Sequence, residues 1–377
     1  MFRDAESRYL AWIHTVRGAK PALDLTNSGL RTPLASLGVD PASLLQALPE
    51  PGGDPVVREL VAARYGVDRE EVLGALGTSL GLFLAMAATL GPGDRVLVEE
   101  PGYEPLIRIP AALGAEVARF PRTSGSGWRV DPEAVLCRTD PRTRLVVVSD
   151  LHNPSGRSTG ELQLLVRALQ ERGIALLVDE VYRDFQEGPV GTARTLGPDV
   201  MAVSSLTKVY GLGELRAGWV LASPARVARM RGVQNLLHVV DPGPPIPLAR
   251  AALGRAEAIR EEAFRRARAG WATAAAWLAA RDDVSAPVPE GCVHFWLRLG
   301  KGRTGSRVSE ELLARFGVAV VPGWVFGDDG GLRIGFGADP ERLGEGLEAL
   351  GAVLDDDHSE PRDAATPAGE EPGWQNR

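Results

Sequence analysis

Short apolar runs rich in β-branched residues recur through the middle of this chain, at 95–98, 144–148, 174–178, 201–203 and 218–221, and helical stretches such as 79–90 and 161–172 lie between them. A strand that is apolar throughout, rather than at alternate positions, is covered on both faces. Strands that alternate with helices form crossover units and a parallel sheet. The pattern predicts an α/β protein whose largely parallel sheet lies between helical layers. One helix is delimited from both ends: Asp54 as N-cap and Pro55 in the first turn open it, and Gly66 stops it, giving a helix over 55–65. The Pro/Gly segment 241–247 breaks the rhythm. After it a helical region at 248–280, strands at 292–299, 318–321 and 332–336, and helices at 307–316 and 340–354 predict a smaller α+β lobe. The expected organisation is an N-terminal arm at 1–44 with a helix at 5–16, a large domain at 45–243, a small domain at 244–354 and a disordered tail at 355–377.

Charge and composition narrow the function classes. The formal net charge is −7, with no basic stripe, which argues against nucleic acid as the partner. The longest apolar stretch, 80–90, is too short to cross a bilayer. The first residues lack an apolar signal region, and Cys137 and Cys292 lie far apart, so a reducing cytoplasmic setting is expected. Lys20, Lys208 and Lys301 are the only lysines among 42 basic residues. Arginine serves wherever only positive charge is needed, but it does not readily lose its proton to become a nucleophile. Each lysine is therefore a candidate for amine chemistry.

Gly77-Thr78-Ser79-Leu80-Gly81 fits the G-x-S-x-G pattern of a serine nucleophile on a strand-to-helix turn. The same small residues at a helix N-terminus could instead hold an anion on free backbone amides, or form only a tight turn. None of the histidines stands in a setting that marks it as a catalytic base, and none shows the i, i+4 spacing of a helical metal site, so no metal is expected. Asp179 lies at the end of an apolar run, where open α/β sheets bind ligands. It could pair with a cationic ring nitrogen, while Tyr182 could donate to an oxygen on the same ring. Ser205, Thr207 and Lys208 follow the next strand, and Arg216 offers a planar fork for a phosphate.

The stretch Ser205-Leu-Thr-Lys208-Val-Tyr-Gly-Leu-Gly-Glu-Leu-Arg216-Ala-Gly-Trp219 closely resembles the cofactor-lysine motif of class I/II aminotransferases, the fold-type-I pyridoxal-phosphate enzymes. The ordered landmarks extend over roughly 25–350. The resemblance implies a mostly parallel seven-stranded sheet sandwiched by helices, a smaller α+β domain, a homodimer, pyridoxal 5′-phosphate as cofactor, and amino-acid and 2-oxo-acid substrates. It further implies that Lys208 forms the Schiff base with the cofactor, that Asp179 pairs with the ring nitrogen, and that Tyr182 and Asn153 bond the ring oxygen. Tyr103 would stack on the ring. Gly77, Thr78, Ser79, Ser205 and Arg216 would hold the phosphate. Arg333 resembles the arginine that binds the substrate carboxylate, with Gly29 and Asn153 lining the same pocket.

The sequence departs from the family pattern in several places. Leu48 stands where many members have a tyrosine reaching the partner subunit's phosphate. Asp150-Leu151 and Gly213-Glu214 replace commoner Asn-Pro and Pro-Gly pairs, and Trp324 stands where a smaller residue is frequent, so that it either narrows the substrate pocket or packs within the small lobe. The stretches 143–148, 152–156 and 320–327 also resemble cyclases of the capreomycidine synthase type. The expected function is thus transamination, with a pyridoxal-phosphate lyase, decarboxylase or cyclase as the alternative and a serine hydrolase using Ser79 as a remote one. A transcription regulator with a pyridoxal-phosphate sensor domain would need a DNA-binding module that the short arm does not supply.

Overall fold

The computed structural model describes residues 6–48, 50–300, 302–337 and 339–356. The chain opens with α1 (Arg8–Gly18), capped by the Ser7 hydroxyl, which accepts from the Leu10 amide at 3.1 Å. That cap sets the start of the helix expected over 5–16, whose first residue lies outside the described ones. Next come β1 (Leu23–Asp24), the single turn α2 (Pro41–Leu44) and α3 (Pro55–Tyr65). In α3 the Asp54 carboxylate accepts from the Val57 amide at 2.9 Å, and Gly66 ends the helix with φ +65°. The residue types that predicted this helix are the ones that bound it.

Seven strands then build the main sheet: β2 (Val72–Leu76), β3 (Arg95–Glu100), β4 (Glu116–Pro121), β5 (Thr143–Ser149), β6 (Ala175–Asp179), β7 (Val200–Ser205) and β8 (Ala217–Leu221). Their spatial order is β2-β8-β7-β6-β5-β3-β4, with β8 antiparallel to both neighbours and the rest parallel. The helices between them are α4 (Gly77–Ala87), α5 (Pro105–Ala112), α6 (Pro132–Leu136) and α7 (Leu162–Gln170). One sheet face packs Leu73, Val96, Val98, Leu145, Val147, Leu177 and Val203 against Leu82, Ala85 and Met86 of α4. The other packs Leu97, Val146, Val148, Leu176 and Val178 against Leu162, Leu165, Val166 and Leu169 of α7. Burial on both faces is why these strands read as continuous apolar runs. Strands β2 and β4 escaped that reading: β2 contains Gly74, and β4, at the sheet edge, carries Glu116 and Arg119.

After α8 (Pro224–Leu237), the helical region expected over 248–280 is two helices, α9 (Pro245–Gly254) and α10 (Ala256–Ala279). Helix α9 starts inside the Pro/Gly break, because Pro245 and Pro247 fall in a first turn whose amides have no intrahelical partner. Strands β9 (Val284–Ser285) and β10 (His294–Leu299) and helix α11 (Gly305–Phe316) follow. The single strand expected at 318–321 is two: β11 (Val318–Ala319) pairs with β1, and β12 (Val321–Pro322) joins the four-stranded sheet β12-β13-β10-β9 through β13 (Gly331–Gly335). The chain changes sheets at Val320, so the arm is paired to a segment some 300 residues away. Helix α12 (Leu343–Asp355) closes the described chain, and most of the tail expected at 355–377 lies outside it.

No helix among the described residues is long and apolar enough to cross a membrane. Cys137 is exposed, Cys292 is buried, and both are free thiols.

Candidate active site

The register of the main sheet places Ser149 opposite Asp179 and Asp179 opposite Val203, so the ends of β5, β6 and β7 meet at one edge. Strand β2 ends at the same edge, since Leu76 lies opposite Ala217 on β8 and Ser205 opposite Gly218. A cavity of about 420 Å³ opens there, and Thr78, Ser79, Tyr103, Asn153, Asp179, Tyr182, Lys208, Arg216, Arg333 and Gly29 all line it.

At one end of the cavity, Gly77 has φ +79°, and a Cβ there would collide with the Arg216 guanidinium. Glycine is needed for both reasons. Arg216 itself is left-handed at φ +50° and donates to the Leu76 carbonyl at 3.3 Å. Thr78 donates to Ser205 at 2.9 Å. The first-turn amides of α4, the Thr78 and Ser79 hydroxyls and the guanidinium form a cradle that suits a phosphate. Gly77 and Ser205 lie behind that lining and position it.

Lys208 Nζ donates to Ser28 Oγ at 3.2 Å, and Ser28 Oγ is 2.7 Å from the Tyr182 hydroxyl. Burial, then the Arg333 and Arg17 guanidiniums, push the Lys208 amine down to about 7, with Asp179 acting against them. Burial pushes Asp179 up to about 7, against the Val181 amide that donates to it at 3.1 Å. Both groups are held near neutrality in the protein alone, and a cation presented to Asp179 would shift it towards the carboxylate. Burial likewise raises the Tyr182 phenol above its ordinary range.

At the other end, Arg333 sits on β13, fully buried, donating from Nη1 to Asn153 Oδ1 at 2.9 Å and from Nη2 to the Thr26 carbonyl at 3.1 Å. Its Nε is buried without a partner, a donor left for a ligand. Asn153 is thus tied to Arg333 through its side-chain oxygen.

The structure does not bring Trp324 to the cavity. It lies on the turn Gly323–Phe326, half-buried beside Trp128 and Phe326, with the Arg8 guanidinium 5.3 Å from its ring centre. Its ring packs on that aromatic cluster instead of entering the pocket. Nor, among the described residues, is a histidine hydrogen-bonded to Ser79: His152 is bonded to Ser155 and the Pro101 carbonyl, His238 to Asp241, the ring nitrogens of His294 have no hydrogen-bond partner, and His14 lines the cavity on α1. Leu48 is 84% exposed.

Several residues of the site were not singled out from sequence. Ser28 bridges Lys208 and Tyr182, His294 packs edge-on against Tyr182 at 5.0 Å, and Tyr9 reaches Arg333 Nη2 at 3.5 Å. Beneath the site, Arg122 and Glu99 form a fully buried ion pair at 2.8 Å; Arg122 also donates to the Ser149 and Ser158 carbonyls, and Glu99 accepts from the Ser149 amide at 2.9 Å. Only the short Thr26-Asn-Ser-Gly29 stretch offered a sequence signal for Ser28.

A cradle that suits a phosphate, an amine and a carboxyl on one cavity wall, and an arginine with a spare donor are features that would fit a phosphorylated aldehyde cofactor and a carboxylate-bearing amine. The family model for aminotransferase class I and II matches residues 42–350, and the chain belongs to that family. It is a pyridoxal-phosphate-dependent transferase. Among its relatives, capreomycidine synthase of Streptomyces vinaceus is 32% identical over 80% of this chain and 79% of the relative. An arginine–pyruvate transaminase of Pseudomonas aeruginosa is 30% identical over 77% of this chain and 78% of the relative. A pyridoxal-phosphate-dependent aminotransferase from Streptococcus suis superposes with a TM-score of 0.85 at 27% identity, covering 92% of this chain and 96% of that one.

Proposed function

We propose that this protein moves the amino group of an α-amino acid to a 2-oxo acid, as a cytoplasmic homodimer. The observation that carries the reading is the placement of Lys208, Asp179, the Arg216 cradle and Arg333 around one cavity. When bound, pyridoxal phosphate supplies an aldehyde for amine exchange and a cationic ring that takes up the electron pair left by the departing α-proton. The residues do the rest. Thr78, Ser79 and Arg216 bind the phosphate, with Gly77 and Ser205 shaping the cradle. Asp179 would keep the ring nitrogen protonated, Tyr182 and Asn153 would bond the ring oxygen, and Tyr103 would stack on the ring. Arg333 takes the substrate carboxylate by charge-assisted hydrogen bonds, with Gly29 close by. The Lys208 amine, pushed down to about 7 so that a large share of it is uncharged at neutral pH, takes the α-proton, and Ser28 and Tyr182 orient it for that transfer.

Support for the homodimer comes from apolar side chains on the surface: Leu45 and Leu48 before α3, and Leu236 and Val239 at the end of α8, are 68–87% exposed. The two free thiols fit a reducing compartment. A second reading, a cyclase, rests on the 32% identity to capreomycidine synthase. Both readings use the same cofactor residues. The test is to incubate the purified enzyme with ¹⁵N-labelled amino acids and a panel of 2-oxo acids and to identify products by mass spectrometry. Transfer of ¹⁵N to an oxo acid is expected; a ring-closed or eliminated product that retains its own nitrogen, with no labelled acceptor, would overturn the reading.

A further inference from the structure

We propose that α1 is the roof of the substrate cavity and that Glu104 is the positioning residue that holds it there, so that Tyr9 completes the carboxylate site at Arg333; this rests on the assignment of Arg333 to the substrate carboxylate. Tyr9, Leu10, Ile13, His14 and Arg17 all line the cavity. Their spacing, i, i+1, i+4, i+5 and i+8, is one face of a helix. Helix α1 therefore presents a whole side to the substrate rather than a single residue.

One carboxylate anchors its first turn. Glu104 Oε2 accepts from the Ser7 hydroxyl at 2.6 Å and the Tyr9 amide at 2.8 Å, while Oε1 accepts from the Arg8 amide at 3.2 Å and from Arg108 Nε at 3.1 Å. Amides at the start of a helix have no partner within it, and a buried carboxylate is the strongest acceptor available to them. Glu104 is only 9% exposed, so water competes little for these bonds.

The anchor also fixes where Tyr9 points. Glu104 directly follows Tyr103, which lines the cavity and meets the Tyr9 ring edge-on, with centres 5.9 Å apart. The Tyr9 hydroxyl lies 3.5 Å from Arg333 Nη2, on the guanidinium whose Nε has no partner. A substrate carboxylate seated on Arg333 would thus lie within reach of a second donor, the Tyr9 hydroxyl, and beneath Ile13. On the outer side, the Arg8 guanidinium lies 5.3 Å from the Trp324 ring centre, so Trp324 bears on the pocket through the roof it supports.

The experiment measures steady-state kinetics and amide hydrogen exchange on cofactor-loaded wild type, E104Q and S7A. In E104Q one acceptor oxygen becomes an NH2 group facing donors, and the charge is lost. The KM for the amino donor should rise about tenfold with kcat within about twofold of wild type. Exchange over 8–18 should accelerate while exchange over 200–221 stays at the wild-type rate. S7A should change both readouts in the same direction by less, and it stands in for E104Q if that variant does not fold. Y9F should raise KM with the roof still protected. Faster exchange over 8–18 with an unchanged KM would overturn the proposal, as would faster exchange throughout the chain. Wild-type protein that transfers no amino group would bear instead on the assigned reaction, because exchange over 8–18 is read without turnover.

Discussion

Lys208 is useful because it is largely withdrawn from water in the wall of the cavity. Its amine is pushed down to about 7 by burial and by the Arg333 and Arg17 charges, so at neutral pH a large share of it can act as a base or nucleophile without first losing a proton. The sign of the effect is definite. Between about 7 and ~10.4 the unfolded chain binds a proton at this lysine that the folded chain does not, so the group's contribution to stability rises with pH across that window. In cofactor-free protein, acylation of Lys208 by an amine-directed reagent, followed by peptide mapping, should show a rate that climbs with pH with its midpoint near 7. A midpoint near ~10.4, the ordinary lysine value, would show that the amine is not desolvated as described. Much of this centre was legible at residue scale. Lys208, Arg216 and Asp179 stand at strand ends beside hydroxyls or acids close in sequence, and their types limit what they can do. Ser28, Tyr9 and Glu104 were not legible, because their partners Lys208, Arg333 and the start of α1 lie 180, 324 and about 95 positions away.

The elements matter through their ends. Helix α4 begins at Gly77, in a turn that only glycine fits, with the Arg216 guanidinium packed where a side chain would start. Gly77→Ala combines a positive φ with a contact that forces Arg216 out of the cradle. Strain of this kind costs about 1–3 kcal/mol. Pyridoxal-phosphate affinity should therefore fall at least tenfold, measured by titrating the cofactor-free variant; affinity equal to wild type would contradict the assignment of this turn as the phosphate cradle. The sequence marked the turn but left its use open among a nucleophile elbow, an anion site and a plain turn. What separated them was the long-range approach of Arg216 and the absence of any histidine bonded to Ser79 among the described residues. Helix capping was easier to read, as at α3, because Asp54, Pro55 and Gly66 act within their own turn. The change of sheets at Val320 was not, since nothing local distinguishes a strand that pairs with β1 from one that pairs with β13.

At the scale of the whole molecule, the main sheet contributes Asp179, Lys208 and the phosphate cradle, the four-stranded sheet contributes Arg333, and the arm contributes Tyr9 and Ser28. The apolar runs announced the first of these because parallel strands are covered on both faces. The meeting of the other two depends on tertiary contacts, including the buried pair of Arg122 and Glu99 that ties β3 and β5 to the loop carrying Asn153. These parts converge on one central claim, that the Lys208 amine moves a proton so that nitrogen stays with the enzyme until an acceptor arrives. The most direct measurement is product formed from one amino acid with no 2-oxo acid present. One equivalent of oxo acid per chain should form, after which the reaction should stop and resume only when an acceptor is added. Sustained turnover of the amino acid without any acceptor would contradict it.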